Sequence, residues 1–284
     1  MKNFMLIVNS IKSRDAMGIC DKINLYIEKK GGRCQVVSGY VKREEIIKDT
    51  ECAIVLGGDG TLLQASRDLM GMNIPLIGVN FGHLGFLADV EAEAVEDMVD
   101  RLMADDFLIE SRMMIEGNLE RGGESVPIAF ALNDIVIGRS GVMGVLDFKV
   151  FVNGIRLNSY KADGIIVATP TGSTAYSMSA GGPLVNPSAQ LMVMTPVCPH
   201  TLNTRSIVFE GNDIIEIEIC QQKPVEGKES AYVYFDGDLA KPLINGDRIV
   251  IKKSGNSADM IKLDSRSFLE VLRRKLNNNE DSQT

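Results

Sequence analysis

Three segments of the chain carry residue types and spacings that can do chemistry. The first, "VLGGDGTLLQA" (residues 55–65), packs three glycines around one acid, Asp59, between a buried-strand pattern and the start of a helix. Such a turn receives anions, because the first N–H groups of a helix have no partner and the dipole is positive at that end. Gly57, Gly58, Gly60 and Thr61 are therefore candidate phosphate ligands. A carboxylate at the same place repels phosphate. Asp59 is thus either a turn residue and helix cap, or a base held beside phosphates to act on something they carry. The second segment, "DGIIVATPTGSTAYSMSAGGPLVNP" (163–187), gathers seven hydroxyl side chains from Thr169 to Ser179. Neutral donors and acceptors at that density suit the edge of a base or the hydroxyls of a sugar; on composition alone, a hydroxyl-rich surface loop is the simpler reading. The third, "ALNDIVI", sets Asn133-Asp134 at the mouth of a strand. There a carboxylate takes paired hydrogen bonds from two ribose hydroxyls, or forms an Asx-type turn.

Other chemistries find little support. No G-x-x-x-x-G-K-[ST] loop and no protein-kinase catalytic-loop signature occur in the chain. His83 and His200 stand alone in sequence and read as structural. The five cysteines are odd in number and lack C-x-x-C spacing, which predicts packed, reduced thiols and a cytoplasmic protein. Cys198 and His200 lack a second ligand pair for a metal, and no metal ligands are assigned. Arg67 reads as part of a solvated helix face, and the 14 methionines as core filling.

These segments need elements to hold them. At 284 residues, with 45% apolar and 24% charged residues, the chain is long enough for two globular domains. The net charge of −8 argues against a nucleic-acid or anionic-membrane partner, so any phosphate affinity must be local. No run approaches the roughly 20 apolar residues of a membrane span, and the amino-terminal stretch reads as a strand, not a leader. Residues 1–106 alternate strand and helix: a strand at "FMLIVN", a helix capped by Ser13 with Met17, Cys20, Ile23, Leu25 and Ile27 on one face, and strands at "CQVVS", "CAIVLGG" and "IPLIGVN". A short charged helix through Glu45 and Ile46 and helices at "TLLQASRDLM" and "EAEAVEDMVDRLMADD" complete this part. That alternation predicts an α/β domain with a mostly parallel sheet, binding ligands beyond the carboxyl ends of its strands. From about 107 to 264 the period is two. Asn153-Gly154 marks a hairpin, "DIIEIEI" alternates cleanly, and "YVYFDGDL" and "DRIVIKKS" add strands, which predicts an antiparallel, sandwich-like β domain. Residues 265–284 return to a helical pattern that packs back on the first domain, with a frayed end.

In order and spacing, "GGDGT", "LNDIV" and "DGIIVATPTGSTAYSMSAGGP" resemble the NAD kinase family. "GVNFGHLGFL" (78–87) and "TPVCPHTLNTRSIV" (195–208) are similar to its other characteristic stretches. "GGDGT" is shared with diacylglycerol, sphingosine and phosphofructokinase-type enzymes; "TPTGSTAY" is far more specific. The resemblance implies transfer of a phosphoryl group from ATP, or another donor, to the 2′-hydroxyl of the adenosine ribose of NAD, giving NADP. Asp59 would be the general base, with Mg²⁺ or another divalent cation accompanying ATP. It further implies that Asp59, Gly60, Asn133 and Asp134 meet the substrate, Asn133 and Asp134 at the ribose hydroxyls. Thr174, Ala175, Tyr176 and Ser179 would line the base subsites, with Ser177 among them. Asp163 would reach the nicotinamide part, across a subunit interface of a homodimer or homotetramer, with Lys161 beside it and Asp238 at the substrate. Three positions depart from the family pattern. Asp134 replaces the usual glutamate and is one methylene shorter. Asp236-Gly237-Asp238 stands where many relatives have an amide after Asp-Gly. Gly144 offers no side chain. Two other readings share these residues: a lipid or sugar kinase built on the same glycine turn, and a non-catalytic module that senses NAD or NADP.

Overall fold

The computed structural model describes residues 1–8, 14–81, 85–88, 90–139, 145–201, 204–220, 231–264 and 268–277; Ser13, His83, Gly144 and the frayed end named above lie outside them. The chain divides into two compact units, Met1–Ser111 with Ala258–Thr284, and Arg112–Ser257. The change of sequence period had placed these divisions at 106/107 and 264/265.

In the first unit, β1 (Asn3–Val8), β2 (Arg33–Ser38), β3 (Cys52–Leu56) and β4 (Leu76–Asn80) run parallel in the order β4-β3-β1-β2. The two-residue β5 (Val90–Glu91) pairs with β4. β3 is buried at every position, as a strand covered on both faces requires. The helices are α1 (Arg14–Lys29), α2 (Asp59–Asp68) and α3 (Val95–Met103). The charged stretch near Glu45 is a single 3-10 turn, Arg43–Glu45. On α1 the buried stripe is Ala16, Cys20, Ile23 and Ile27; Met17 is 49% and Leu25 65% exposed. This corrects the expected face: Leu25 follows Ile23 by two residues and so points to the opposite side of the helix.

The second unit opens with β6 (Leu108–Arg121), whose first residues belong to the other unit, and β7 (Glu124–Ala131). It continues through β8 (Asp134–Arg139), β9 (Leu146–Val152), β10 (Ile155–Ala162), β11 (Gly164–Ala168) and the one-turn helix α4 (Tyr176–Ser179). Then follow β12 (Leu191–Val197), β13 (Ile207–Glu210), β14 (Ile215–Ile219), β15 (Ala231–Phe235), β16 (Asp238–Leu243) and β17 (Arg248–Lys262). Antiparallel β10-β9-β14-β17, with β6 and β7 paired on from β17, belong to one sheet, and β13-β12-β11-β8-β15-β16 make the other. Ile137, Phe148, Ile165, Ile217, Phe235 and Ile251 belong to one core, the inner faces of a sandwich. Asn153 and Gly154 both have positive φ, as the type I′ hairpin demands. "YVYFDGDL" is not one strand: Asp236 (φ 51°) and Gly237 (φ 73°) form a second such turn, joining β15 to β16. The division between units falls inside β17, after Ser257. The last helix, α5 (Phe268–Asn277), belongs to the first unit, where the Lys275 ammonium lies 5.2 Å from the centre of the Phe86 ring.

Candidate functional site

In the first unit, β3 ends at Leu56 and α2 starts at Asp59, so Gly57-Gly58 must turn the chain within two residues. Gly58 caps the helix without a side-chain hydrogen bond. Asp59 is therefore the first residue of the helix and not its cap. Thr61 lies against Gly57, where an added Cβ would come within 2.5 Å of its hydroxyl oxygen. The amides of Asp59 and Gly60, the first two of the helix, have no residue four back within it to bond to. Among the described residues, nothing beyond their own chain neighbours and helix backbone lies within 4 Å of a Cβ added at Gly58 or Gly60, which leaves room for an anion to approach the backbone.

The Asp59 carboxylate is held from a distance in sequence. Its Oδ2 accepts the Phe86 amide at 3.0 Å, and its Oδ1 accepts the amides of Leu87 at 3.2 Å and Ala88 at 3.4 Å. Gly85 permits this approach, since a Cβ there would sit 2.0 Å from Oδ1. A carboxylate has about four lone-pair positions. These three bonds occupy both positions of Oδ1 and one of Oδ2. The remaining position on Oδ2 can take a proton.

In the second unit the other two predicted segments are bonded to each other. The Thr169 amide donates to the Asn133 carbonyl at 2.8 Å, its hydroxyl donates to the Leu132 carbonyl at 2.5 Å, and the Gly172 amide returns to the Thr169 hydroxyl at 3.1 Å. At Gly172 a Cβ would lie 2.0 Å from the Asn133 carbonyl oxygen, so only glycine lets the loop close on this turn. Asp134 is 4% exposed. Burial first, and then the nearby charge of Asp236, push its carboxyl up to about 7.

Pairing of β8 with β11 places Gly138 against Gly164 and sets Arg139 beside Asp163. The Arg139 Nη2 donates to Asp163 Oδ2 at 3.2 Å. These two side chains, Tyr176, Tyr234, Val136 and Val197 line a cavity of about 520 Å³ within this unit. Its walls are aromatic and aliphatic, with one ion pair, the general make-up of a small-molecule pocket.

The ATP-NAD kinase N-terminal domain matches residues 27–107, and the ATP-NAD kinase C-terminal domain matches residues 132–263. The NAD kinase of Agathobacter rectalis is 47% identical, over 98% of this chain and 99% of its own. The chain belongs to the NAD kinase family. The NAD kinase of Lachnospira eligens is 43% identical, over 97% of this chain and 100% of its own. Two solved structures share the fold. Yeast NADH kinase, complexed with NADH, has a TM-score of 0.81 at 21% identity, covering 96% of this chain and 86% of its own. The NAD kinase of Archaeoglobus fulgidus, in complex with ATP, has a TM-score of 0.75 at 24% identity, covering 93% and 95%.

Within this family member the predicted residues separate into two groups. Asp163 and Tyr176 line the cavity, and Gly58, Asp59 and Gly60 stand at the helix start. The hydroxyl-rich loop is less generous than its composition implied. Thr169, Ser173 and Ser177 are fully buried. Ser173 accepts the Val185 amide, Thr174 donates to the Thr171 carbonyl, and Ser177 shares a hydrogen bond with Thr195. Ser177 thus shapes the loop, whereas the Tyr176 side chain beside it reaches the cavity. Ala175 sits between the 3-10 turn Thr171–Thr174 and α4, and Ser179 ends α4. Lys161 lies 3.7 Å from Asp147, its side chain 68% exposed. Asp238 is exposed and accepts the Leu239 amide. Arg139, Tyr234 and Asp236 were missed as site residues, because strand register, which sequence does not print, brings them in. Among the described residues no group of three or more His, Cys, Asp or Glu side chains could hold a metal ion.

Proposed function

We propose that this member of the NAD kinase family transfers the γ-phosphoryl group of ATP to the 2′-hydroxyl of the adenosine ribose of NAD, giving NADP, with Asp59 as the general base. The supporting observation is the grip of three amides on the Asp59 carboxylate beside unblocked helix amides. A base so fixed needs no reorientation. As the ribose oxygen forms its bond to the γ-phosphorus, the bond from phosphorus to the β-bridging oxygen breaks, ADP leaves, and the hydroxyl proton passes to Oδ2. A carboxylate is a weak base for an alcohol, and general-base help typically gives ~10²–10⁴-fold. Positioning of the two substrates and neutralisation of phosphate charge by backbone amides supply the larger share.

On this reading Gly57, Gly58, Gly60 and Thr61 form the phosphate turn. Asn133 and Asp134 take the ribose hydroxyls, and Thr174, Ala175, Tyr176 and Ser179 line the base subsites. The cavity with Asp163 and Arg139 takes the nicotinamide end. A divalent cation would arrive with ATP on the oxygens of the triphosphate; among the described residues no cluster of His, Cys, Asp or Glu could hold it. A homodimer or homotetramer in the cytoplasm completes the reading; no helix among the described residues is long and apolar enough to cross a membrane. The test is direct: purified protein is incubated with ATP and NAD, and NADP is measured by an NADP-specific dehydrogenase. NADP is the expected product. Phosphorylation of lipid or sugar acceptors in place of NAD, or nucleotide binding without turnover under any donor, would overturn the reading.

A further inference from the structure

Asp236 lies outside every substrate contact proposed above, yet more of the second unit's site hangs on it than on any residue the sequence pointed to. Its Oδ2 accepts the Leu132 amide at 3.0 Å, and its Oδ1 accepts the amides of Asn133 at 2.7 Å and Asp134 at 3.2 Å. Its own amide donates to the Asp134 carbonyl at 3.0 Å, closing a ring of hydrogen bonds between the β15–β16 turn and the entry to β8. Asp236 reaches this position from a left-handed conformation (φ 51°), which asparagine and aspartate tolerate better than other side chains. Leu132, Asn133 and Asp134 thus owe their backbone course to a carboxylate more than a hundred residues away in sequence.

We propose that Asp236 is a positioning residue for the acceptor substrate: its carboxylate fixes the Asn133-Asp134 turn so that both side chains face the ribose in the orientation that phosphorylation requires. This rests on the assignment of Asn133 and Asp134 to the ribose. Three amides converge on two oxygens of one group, a geometry that a neutral side chain cannot reproduce. An asparagine keeps one acceptor and turns an NH2 toward an amide donor; an alanine leaves three amides without their acceptor. The same carboxylate places negative charge beside Asp134, so its removal also alters the electrostatics at the ribose contact.

The experiment measures steady-state kinetics with NAD and ATP varied separately for Asp236→Asn, Asp236→Ala, Asn133→Ala and Asp134→Ala, each checked for native near-UV circular dichroism. The expected result is a KM for NAD raised at least tenfold in Asp236→Asn and further in Asp236→Ala. KM for ATP should stay within about twofold, and kcat should fall less than KM for NAD rises. Asp236→Glu, which keeps both oxygens, should recover part of the NAD affinity. If Asp236→Ala does not fold, the asparagine and glutamate variants carry the comparison. Normal KM for NAD in Asp236→Asn, with a raised KM in Asn133→Ala and Asp134→Ala, overturns the positioning role and leaves the ribose assignment standing. Normal KM for NAD in Asn133→Ala and Asp134→Ala overturns the assignment and the positioning role together. Parallel loss of both substrates' affinities in Asp236→Asn also overturns the proposal, since it marks general damage.

Discussion

Asp59 in the first unit and Asp236 in the second are gripped alike, each by three consecutive backbone amides: Phe86 to Ala88 for one, Leu132 to Asp134 for the other. Their surroundings differ. Asp236 sits in a two-residue hairpin turn, its bonds begin at 2.7 Å, and its own amide bonds back to the segment it holds. Asp59 opens a helix, its bonds run from 3.0 to 3.4 Å, and the space beside its neighbours Gly58 and Gly60 is open among the described residues. In the second unit the carboxylate fixes the amides; in the first the amides fix the carboxylate. One hydrogen-bond pattern serves to build a turn or to aim a base, and the surroundings of the carboxylate decide which.

The comparison breaks most sharply at Asp59. In Asp59→Asn the proton acceptor is gone and an NH2 faces the Phe86 amide, so turnover should fall by about 10²–10⁴-fold or more, while NAD and ATP, held by other residues, still bind in equilibrium dialysis. Wild-type turnover in this variant would mean that another group takes the proton and that the two aspartates are both structural. Gly85→Ala probes the same grip from the other side. Its methyl would come within 2.0 Å of Oδ1, so the carboxylate or the 85–88 backbone must move. Because displacement of a reacting group by about 1 Å can cost ~10²-fold, kcat should drop by about that factor, with the KM values for both substrates less affected. Unaltered kcat would show that the three amides do not aim the base.

Much of this was legible in the sequence, and the rest was hidden for identifiable reasons. β3, α2 and the Asn153-Gly154 hairpin were readable because apolar period and turn chemistry are local properties. The two-residue alternation of "DIIEIEI" was legible too, and the face it defines, Ile215, Ile217 and Ile219, is buried. Leu25 misled because an apolar side chain was counted toward a face without its angle. "YVYFDGDL" misled because a run of strand formers concealed an Asp-Gly turn that the same rules name as a hairpin signal. The candidate residues themselves were found, but not their division of labour. Hydroxyls such as Ser173 and Ser177 look like ligand groups until the loop is seen to use them on itself. Arg139 and Asp236 act through partners 24 and about a hundred positions away, and pairing register alone brings such partners together.

The smallest effect sharpens the comparison at Asp134, the neighbour that Asp236 both positions and charges. Burial and the Asp236 carboxylate raise its carboxyl to about 7 in the folded, ligand-free protein, against about 4 for an unfolded aspartate. A raised carboxyl favours the neutral form in the fold. Its contribution to stability is therefore full below about pH 4 and is lost as pH rises through about 7. Acceptance of ribose hydroxyl protons needs the charged form, which grows over the upper part of that range. NAD affinity should then increase by about tenfold from pH 6 to pH 8, while the melting temperature of the ligand-free protein declines over the same interval. Isothermal titration of NAD and thermal unfolding across pH measure the two slopes. In Asp236→Asn the like charge is gone, so both midpoints should move to lower pH even as the absolute affinity falls. Midpoints that stay in place would show that burial alone raises Asp134, and that Asp236 differs from Asp59 only in the turn it builds.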